Sequence, residues 1–564
     1  MPDRPEQRAD VPVAQPVGRG EQPAPLGAQP VGREEQPGPL GAQPVGRGDQ
    51  PVRSIVIVGG GTAGWIVAGV LASRYPRRGE DGVTITLIES RQQPPIGVGE
   101  GTWPTIRATL KQIGVTETDF LRECDASFKQ GSQFVKWVDA GDSDTYWHPF
   151  TLPADYADRN LAPYWLEGPP QPGFARSLCF QTELCSQGLA PKQITTPEFA
   201  GLANYAYHLD AGKFGPFLQK HCVGKLGVNH VYDEIVQVQS DDRGHIAHLV
   251  TKSGNLLAAD LFIDCSGFAA LLIGKHCGVP FRSLKDVLFI DKAWAVQIPY
   301  RDEAAAIASA TISTAQSSGW VWDIGLTTRR GVGYVFSSNY VSDDRALEEL
   351  KTYLAARGDL SSELSFRNIP INSGYRQESW AGNCVAVGLS AGFLEPLEAS
   401  AIVMIELSAK SIANLLPGCR SGMRQAARIF NDTFRYRWER IVDFLKLHYV
   451  LSRRADCGFW IDNRRTESIP DSLRDALDYW RHHCPWHEDF SHREEVFSAA
   501  SYQYILYGMG FRTETARWLL SDADRNRARE AMAETARHAK ALGAALPGNR
   551  DLLNRIRRYG LQKI

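Results

Sequence analysis

At 564 residues, 43% of them hydrophobic and including 14 Trp, 19 Tyr and 23 Phe, the chain exceeds one ordinary domain and can build a large core. Its formal net charge of −2 gives no electrostatic reason to expect nucleic acid or an anionic membrane as partner. No run of about 18 apolar residues occurs, and the start Met1-Pro2-Asp3-Arg4-Pro5 lacks the apolar segment of a secretory signal, so a cytoplasmic location is the default expectation.

The first elements in chain order are repeats. Gln15-Pro16-Val17-Gly18-Arg19 returns at residues 29 and 43, a spacing of 14. So much Pro and Gly with so few large apolar side chains cannot offset chain entropy by burial, which predicts a disordered arm over 1–52 with order from Arg53.

Ser54-Ile55-Val56-Ile57-Val58 then predicts a strand, Gly59-Gly60-Gly61-Thr62-Ala63-Gly64 a tight turn, and Trp65 to Ala72 a helix. Val83 to Glu89 predicts a second strand ending in an acid. Strand, glycine turn, helix and acid in this order predict a dinucleotide site of Rossmann type. Gly59 permits the turn, Gly61 lets backbone approach a pyrophosphate, and Gly64 allows close helix packing. Thr62 and Ala63 open the helix whose N-terminus favours the anion, and Glu89 can accept from the adenosine ribose.

NAD and FAD share this fingerprint. Leu261 to Gly267 and Cys384 to Gly392 are later apolar strands ending in small-residue turns, of the kind that completes an extended cofactor site in two-part flavoproteins, which favours FAD and adds Asp264 and Gly388 to its lining. Gly319-Trp320-Val321-Trp322-Asp323-Ile324-Gly325 places Trp320 and Trp322 on one strand face. From about residue 400 the chain is rich in helix formers, over 401–416, 423–451 and 513–542. The expected fold class is therefore α/β, an FAD-binding Rossmann-like core over 53–415 with a mostly helical part over 416–564 covering the substrate site. Ten scattered cysteines without a CxxC pair read as reduced, mostly buried thiols, and His482-His483-Cys484-Pro485-Trp486-His487 lacks the partner cluster a metal site needs, so no metal is expected.

Taken together these residues resemble the flavin-dependent tryptophan halogenase family from about Ser54 to at least Trp460. Gly319 to Gly325 resembles its GWxWxIP signature with Gly325 in place of proline, and Ile96-Gly97-Val98-Gly99-Glu100-Gly101-Thr102 resembles its flavin-contacting IGVGEAT loop, which implies cofactor contacts at Val98, Gly99 and Glu100. Arg122 to Lys129 is similar to the segment that ends on the catalytic lysine, here Lys129. Glu395-Pro396-Leu397-Glu398-Ala399-Ser400-Ala401-Ile402 is similar to EPLESTGI, which puts the catalytic glutamate on Glu398 and the halide-binding backbone on Ser400 and Ala401. His148-Pro149-Phe150 is similar to the HPF segment, whose His148 and Phe150 would pack on an aromatic substrate.

The resemblance implies FADH2 from a separate reductase, reaction with O2 to a flavin hydroperoxide, attack by chloride or bromide to give hypohalous acid, and passage of that acid to Lys129. Lys129 would form a haloamine or hold the acid by hydrogen bonding. Glu398 would stabilise the cationic ring intermediate and take its proton, and the tryptophan pair would keep substrate from the flavin. These residue types suit the work: a desolvated lysine is a more available amine, an ammonium polarises the acid, and a carboxylate is a base.

Ala399-Ser400-Ala401 departs from the family's Ser-Thr-Gly, removing a serine contact between flavin and substrate sites while keeping the amides. Gly325 predicts a less rigid tryptophan segment. Free tryptophan, an indole, a peptide-borne tryptophan, a phenol or a pyrrole are all open as substrate, and the oligomeric state is open, a homodimer among the options. Two other readings remain: a flavin monooxygenase hydroxylating its aromatic substrate directly, and a flavin-binding scaffold acting through the proline-rich arm.

Overall fold

The computed structural model describes residues 50–76, 82–91, 99–169, 172–491 and 495–563. Gln50–Ile564 form one compact unit. Most of the expected arm lies outside the described residues, as does Val98. Gln50 to Val52, assigned by composition to the arm, are tied into the fold. Pro51 bridges Cys419, the Val52 amide donates to the Gly418 carbonyl at 3.2 Å, and Val52 is buried. The pairing partner is more than 360 residues away, so no local pattern could reveal it.

A six-stranded sheet carries the glycine turn. Its order is Trp380–Ala381, Cys384–Ala386, Leu261–Asp264, Ser54–Val58, Thr84–Glu89, Asn229–Tyr232, and all neighbours are parallel except the first pair. The central strands read as continuous apolar runs because both faces are covered, as parallel sheets require. The helix Thr62–Arg74 follows the first strand and is buried from Gly64 to Ala72.

A seven-stranded sheet follows the order Arg367–Pro370, Lys292–Pro299, Arg329–Phe336, Gly319–Gly325, Thr311–Gln316, Gly131–Val135, Thr145–Pro149. Alternation sends Trp320, Trp322 and Ile324 into the main core and Val321 into a separate cluster behind the sheet, as a period of two demands. A small sheet of Gly99–Gly101, Ala206–Asp210 and Ser127–Lys129 completes the site's strand framework.

Among the described residues no named strand follows Phe393. Helices Ser400–Leu415 and Met423–Val450 lie where the composition places them, but the third starts at Asp522 rather than 513. Ser521 accepts from the Asp524 amide there, and this N-cap with two first-turn acids sets the start. No helix among the described residues is long and apolar enough to cross a membrane. All ten cysteines are free thiols and seven are buried.

Candidate active site

The glycine turn has the shape that backbone contact with a pyrophosphate requires. A methyl on Gly59, whose φ is +113°, would lie 2.2 Å from the Cys265 carbonyl oxygen, and one on Gly64 would lie 1.9 Å from the Gly59 oxygen. Gly61 faces open space, with no atom within 4 Å of its would-be Cβ. The helix that starts at Thr62 has no side-chain cap, so the first-turn amides at Thr62 and Ala63 remain for a ligand. Gly388, with φ +72°, closes the turn from the far strand, since a methyl there would lie 2.8 Å from the Ala63 Cβ. Glu89 folds over Gly60 and accepts from His230 Nε2 at 2.7 Å; burial raises its pKa more than His230 lowers it. These residues fit a dinucleotide.

Asp264 is engaged within its own loop. Its carboxylate accepts from the Ser266 amide and hydroxyl and from the Leu272 and Ile273 amides, which makes it the organiser of its own loop. Gly99 is buried beside Asp210, and Glu100 pairs with Leu209, where desolvation pushes its carboxyl up to about 7.

Lys129 ends the strand Ser127–Lys129 and is 1% exposed. Burial lowers its pKa to about 8 despite the opposing effect of Glu398. Its Nζ lies 5.3 Å from the centre of the Phe150 ring, and a methyl on Gly101 would be 3.1 Å from that Nζ and 3.3 Å from the Ala399 Cβ. Gly101 is thus the gap between the lysine and the Glu398 turn.

Glu398 and Ala399 are consecutive left-handed residues, at φ +63° and +56°. Neither is glycine, and each costs on the order of 1–2 kcal/mol. The turn is held by the Trp103 indole, which donates to the Glu398 carbonyl at 2.8 Å. It leads into the helix Ser400–Leu415, which has no side-chain cap, so the Ser400 and Ala401 region offers free amides where the halide site was expected.

The Glu398 carboxylate is buried between two imidazoles. His148 Nδ1 lies 2.9 Å from Oε1, His448 Nε2 lies 3.5 Å from the same oxygen, and Ser132 Oγ lies 3.5 Å from Oε2. Burial would raise this carboxyl's pKa, but His148, His448 and Lys129 outweigh it and hold the pKa below the usual value. Nε2 of His148 pairs with Ser501 Oγ at 3.0 Å, and its ring packs among Phe444, Tyr504 and Phe497. His148 therefore serves Glu398 directly, whereas Phe150 faces Lys129.

Sequence reasoning gave no specific role to His448, Tyr146, Ser132, Ser501, Trp103 or Phe497. Tyr146 and His148 share a strand face, so the i, i+2 spacing was the available signal for the tyrosine; the others arrive from distant elements. Trp320 and Trp322 are buried, Trp320 lying 6.0 Å from Trp137, and Trp322 covers Gly333. Gly325 is not a loose point. It is buried in ladder register with Arg330, its carbonyl accepts from Ser127, and a side chain there would strike Ile307 at 2.9 Å. Among the described residues no cluster of three or more side chains could hold a metal.

Residues 54–525 match the family described as tryptophan halogenase. Tryptophan 6-halogenase SttH of Streptomyces toxytricini is 33% identical, covering 81% of this chain and 89% of that protein. A tryptophan halogenase of Shewanella frigidimarina NCIMB 400 superposes with a TM-score of 0.88 at 45% identity, over 91% of this chain and 99% of the other. BrvH, a flavin-dependent halogenase from Brevundimonas sp. BAL3, gives a TM-score of 0.78 at 34% identity over 90% and 99%. With a glycine turn shaped for a dinucleotide and a buried lysine beside a buried carboxylate, the chain belongs to the tryptophan halogenase family and is a flavin-dependent halogenase.

Proposed function

We propose that this enzyme halogenates the indole ring of tryptophan or a close tryptophan derivative by electrophilic substitution, with Lys129 and Glu398 as its catalytic residues. Bound reduced FAD, with O2, supplies the oxidising power that turns chloride or bromide into hypohalous acid. A separate flavin reductase provides the reduced cofactor. Gly61 and the first-turn amides at Thr62 and Ala63 hold the pyrophosphate, with Glu89 beside them for the ribose. The free amides at Ser400 and Ala401 hold the halide.

Lys129 works as an ammonium ion. With a pKa of about 8 it is mostly protonated at neutral pH, and its face-on approach to Phe150 at 5.3 Å suits a cation. It donates to the oxygen of the hypohalous acid, which makes the halogen more electrophilic. The ring carbon bonds the halogen, the halogen–oxygen bond breaks, and the oxygen leaves as water with the proton from Lys129. Glu398 then takes the ring proton and the electron pair returns to the ring.

The single observation that carries the reading is the convergence of Lys129 and the Glu398 turn on Gly101 inside a buried, aromatic-lined interior. Mass spectrometry of reactions with FAD, NADH, a general flavin reductase, O2 and bromide tests it, with tryptophan, indoles, phenols and tryptophan-containing peptides as substrates. A bromine isotope doublet on an indole product, lost in Lys129→Ala, is expected. Hydroxylated products that survive Lys129→Ala would replace the reading with direct oxygen transfer.

A further inference from the structure

The surroundings of Glu398 treat its two oxygens differently. Oε1 receives His148 at 2.9 Å and faces His448 Nε2 at 3.5 Å, while Oε2 has only Ser132 Oγ at 3.5 Å. His448 comes from the last turns of the helix Met423–Val450, is 0% exposed, and is walled in by Phe134, Trp137 and Phe444. A histidine so placed cannot exchange protons with solvent, so its tautomer is set by its neighbours.

Tyr146 sets it. The Tyr146 hydroxyl lies 2.8 Å from His448 Nδ1, and burial raises the phenol's pKa well above its usual value, so the hydroxyl keeps its hydrogen. Among the described residues that hydroxyl has no other hydrogen-bond partner, so donation to Nδ1 avoids a buried orphan donor. An imidazole that accepts at Nδ1 and is neutral carries its hydrogen on Nε2, a buried nitrogen that makes no hydrogen bond among the described residues and whose nearest acceptor partner is Glu398 Oε1 at 3.5 Å. Burial depresses the His448 pKa to about 3, which keeps the ring neutral.

We propose, resting on the reading of Glu398 as the base, that Tyr146 and His448 form a positioning pair: the Nε2–H of His448 joins His148 in fixing Oε1, so that Oε2 is the oxygen that receives the ring proton. In that step the ring C–H bond breaks, the proton moves to Oε2, and the bonding pair restores the aromatic ring. The groups facing this carboxylate are His148 and Tyr146 from one strand, Ser132 from its neighbour, Lys129 from the small sheet and His448 from the helix.

The test is the pH profile of halogenation, normalised to hypohalous acid formed, in His448→Phe, His448→Gln and Tyr146→Phe. Phenylalanine keeps bulk without a donor, and glutamine restores an N–H near the Nε2 position. His448→Phe should move the acidic limb up by about one pH unit and lower turnover by about tenfold, and His448→Gln should recover most of both. Tyr146→Phe, which removes one oxygen and keeps the ring, should shift the same limb in the same direction. Formation of hypohalous acid should be unchanged in all three. An unmoved acidic limb in Tyr146→Phe and in whichever His448 variants fold, alongside a Glu398→Gln enzyme that is inactive, would overturn the positioning role alone. A Glu398→Gln enzyme that still halogenates would overturn the base assignment and this proposal with it.

Discussion

Gly101 stands against Lys129 so closely that a methyl on it would lie 3.1 Å from the ammonium nitrogen and 3.3 Å from the Ala399 Cβ. Both contacts are tight, and the lysine end is the side free to move. Gly101→Ala should therefore fold normally, with the lysine displaced. Halogenation should fall roughly ten- to a hundredfold, since small displacements of a catalytic group cost this much. Steady-state kinetics with bromide and thermal unfolding check it together; unaltered kinetics would mean the lysine has slack.

Lys129 carries a stability cost that its removal should release. Its folded pKa of about 8 lies below the unfolded 10.5, so the unfolded chain binds more protons between those values. Stability therefore rises as pH climbs through that window, and the cost is fully present below pH 8. Lys129→Met should be inactive yet more stable at pH 7 by up to about 3 kcal/mol, a gain that fades near pH 10. Denaturant titrations at both pH values decide it, and a less stable variant at pH 7 would contradict the burial argument.

The ammonium form also sets the alkaline limb. Activity per hypohalous acid formed should fall above about pH 8 as Lys129 loses its proton. Product yield measured with added hypobromite separates this from flavin chemistry. A rise above pH 8 would favour the neutral amine as the working form.

The two glycines of the turn should separate folding from cofactor binding. Gly61 faces open space, whereas a methyl on Gly64 would collide with the Gly59 oxygen at 1.9 Å. Gly61→Ala should keep its melting temperature and bind FAD at least about tenfold more weakly, because the methyl occupies the pyrophosphate approach. Gly64→Ala should lose stability as well, by about 1–3 kcal/mol. Fluorescence titration with FAD beside calorimetry reads both effects.

Trp322 and Gly333 form a matched pair across two strands. A methyl at Gly333 would lie 2.2 Å from the indole and 2.6 Å from the Trp294 carbonyl oxygen. Gly333→Ala should cost about 1–3 kcal/mol, and Trp322→Phe in the same chain should recover part of it, a non-additivity expected only for residues in contact. Unfolding free energies of the four chains give the coupling.

The nucleotide half of the fold was legible because its signals are local. Ser54–Val58, Thr62–Arg74 and Thr84–Glu89 follow one another in sequence, and the glycines between them have roles set by their immediate backbone. The hydrogen bonds of Asp264 were not legible in the same way: its strand is local, but its carboxylate is held by amides eight and nine residues later. Gly325 looked loose in sequence because glycine is permissive alone; neighbours from three other segments hold it.

By itself the sequence determined the order of strand, glycine turn and helix, the alternation that buries Trp320 and Trp322 on one side, and the identity of Lys129 and Glu398 as the residues to watch. The first two follow from backbone periodicity, which acts over a few residues; Lys129 and Glu398 are singled out only because their segments resemble the halogenase motifs. Only the tertiary structure decided that Glu398 lies between His148 and His448, 250 and 50 residues away, and that Gly101 opens the gap beside Lys129. The electrostatic environment of a buried group is the sum over whatever packs around it, and packing joins segments whose separation in sequence carries no periodic signal.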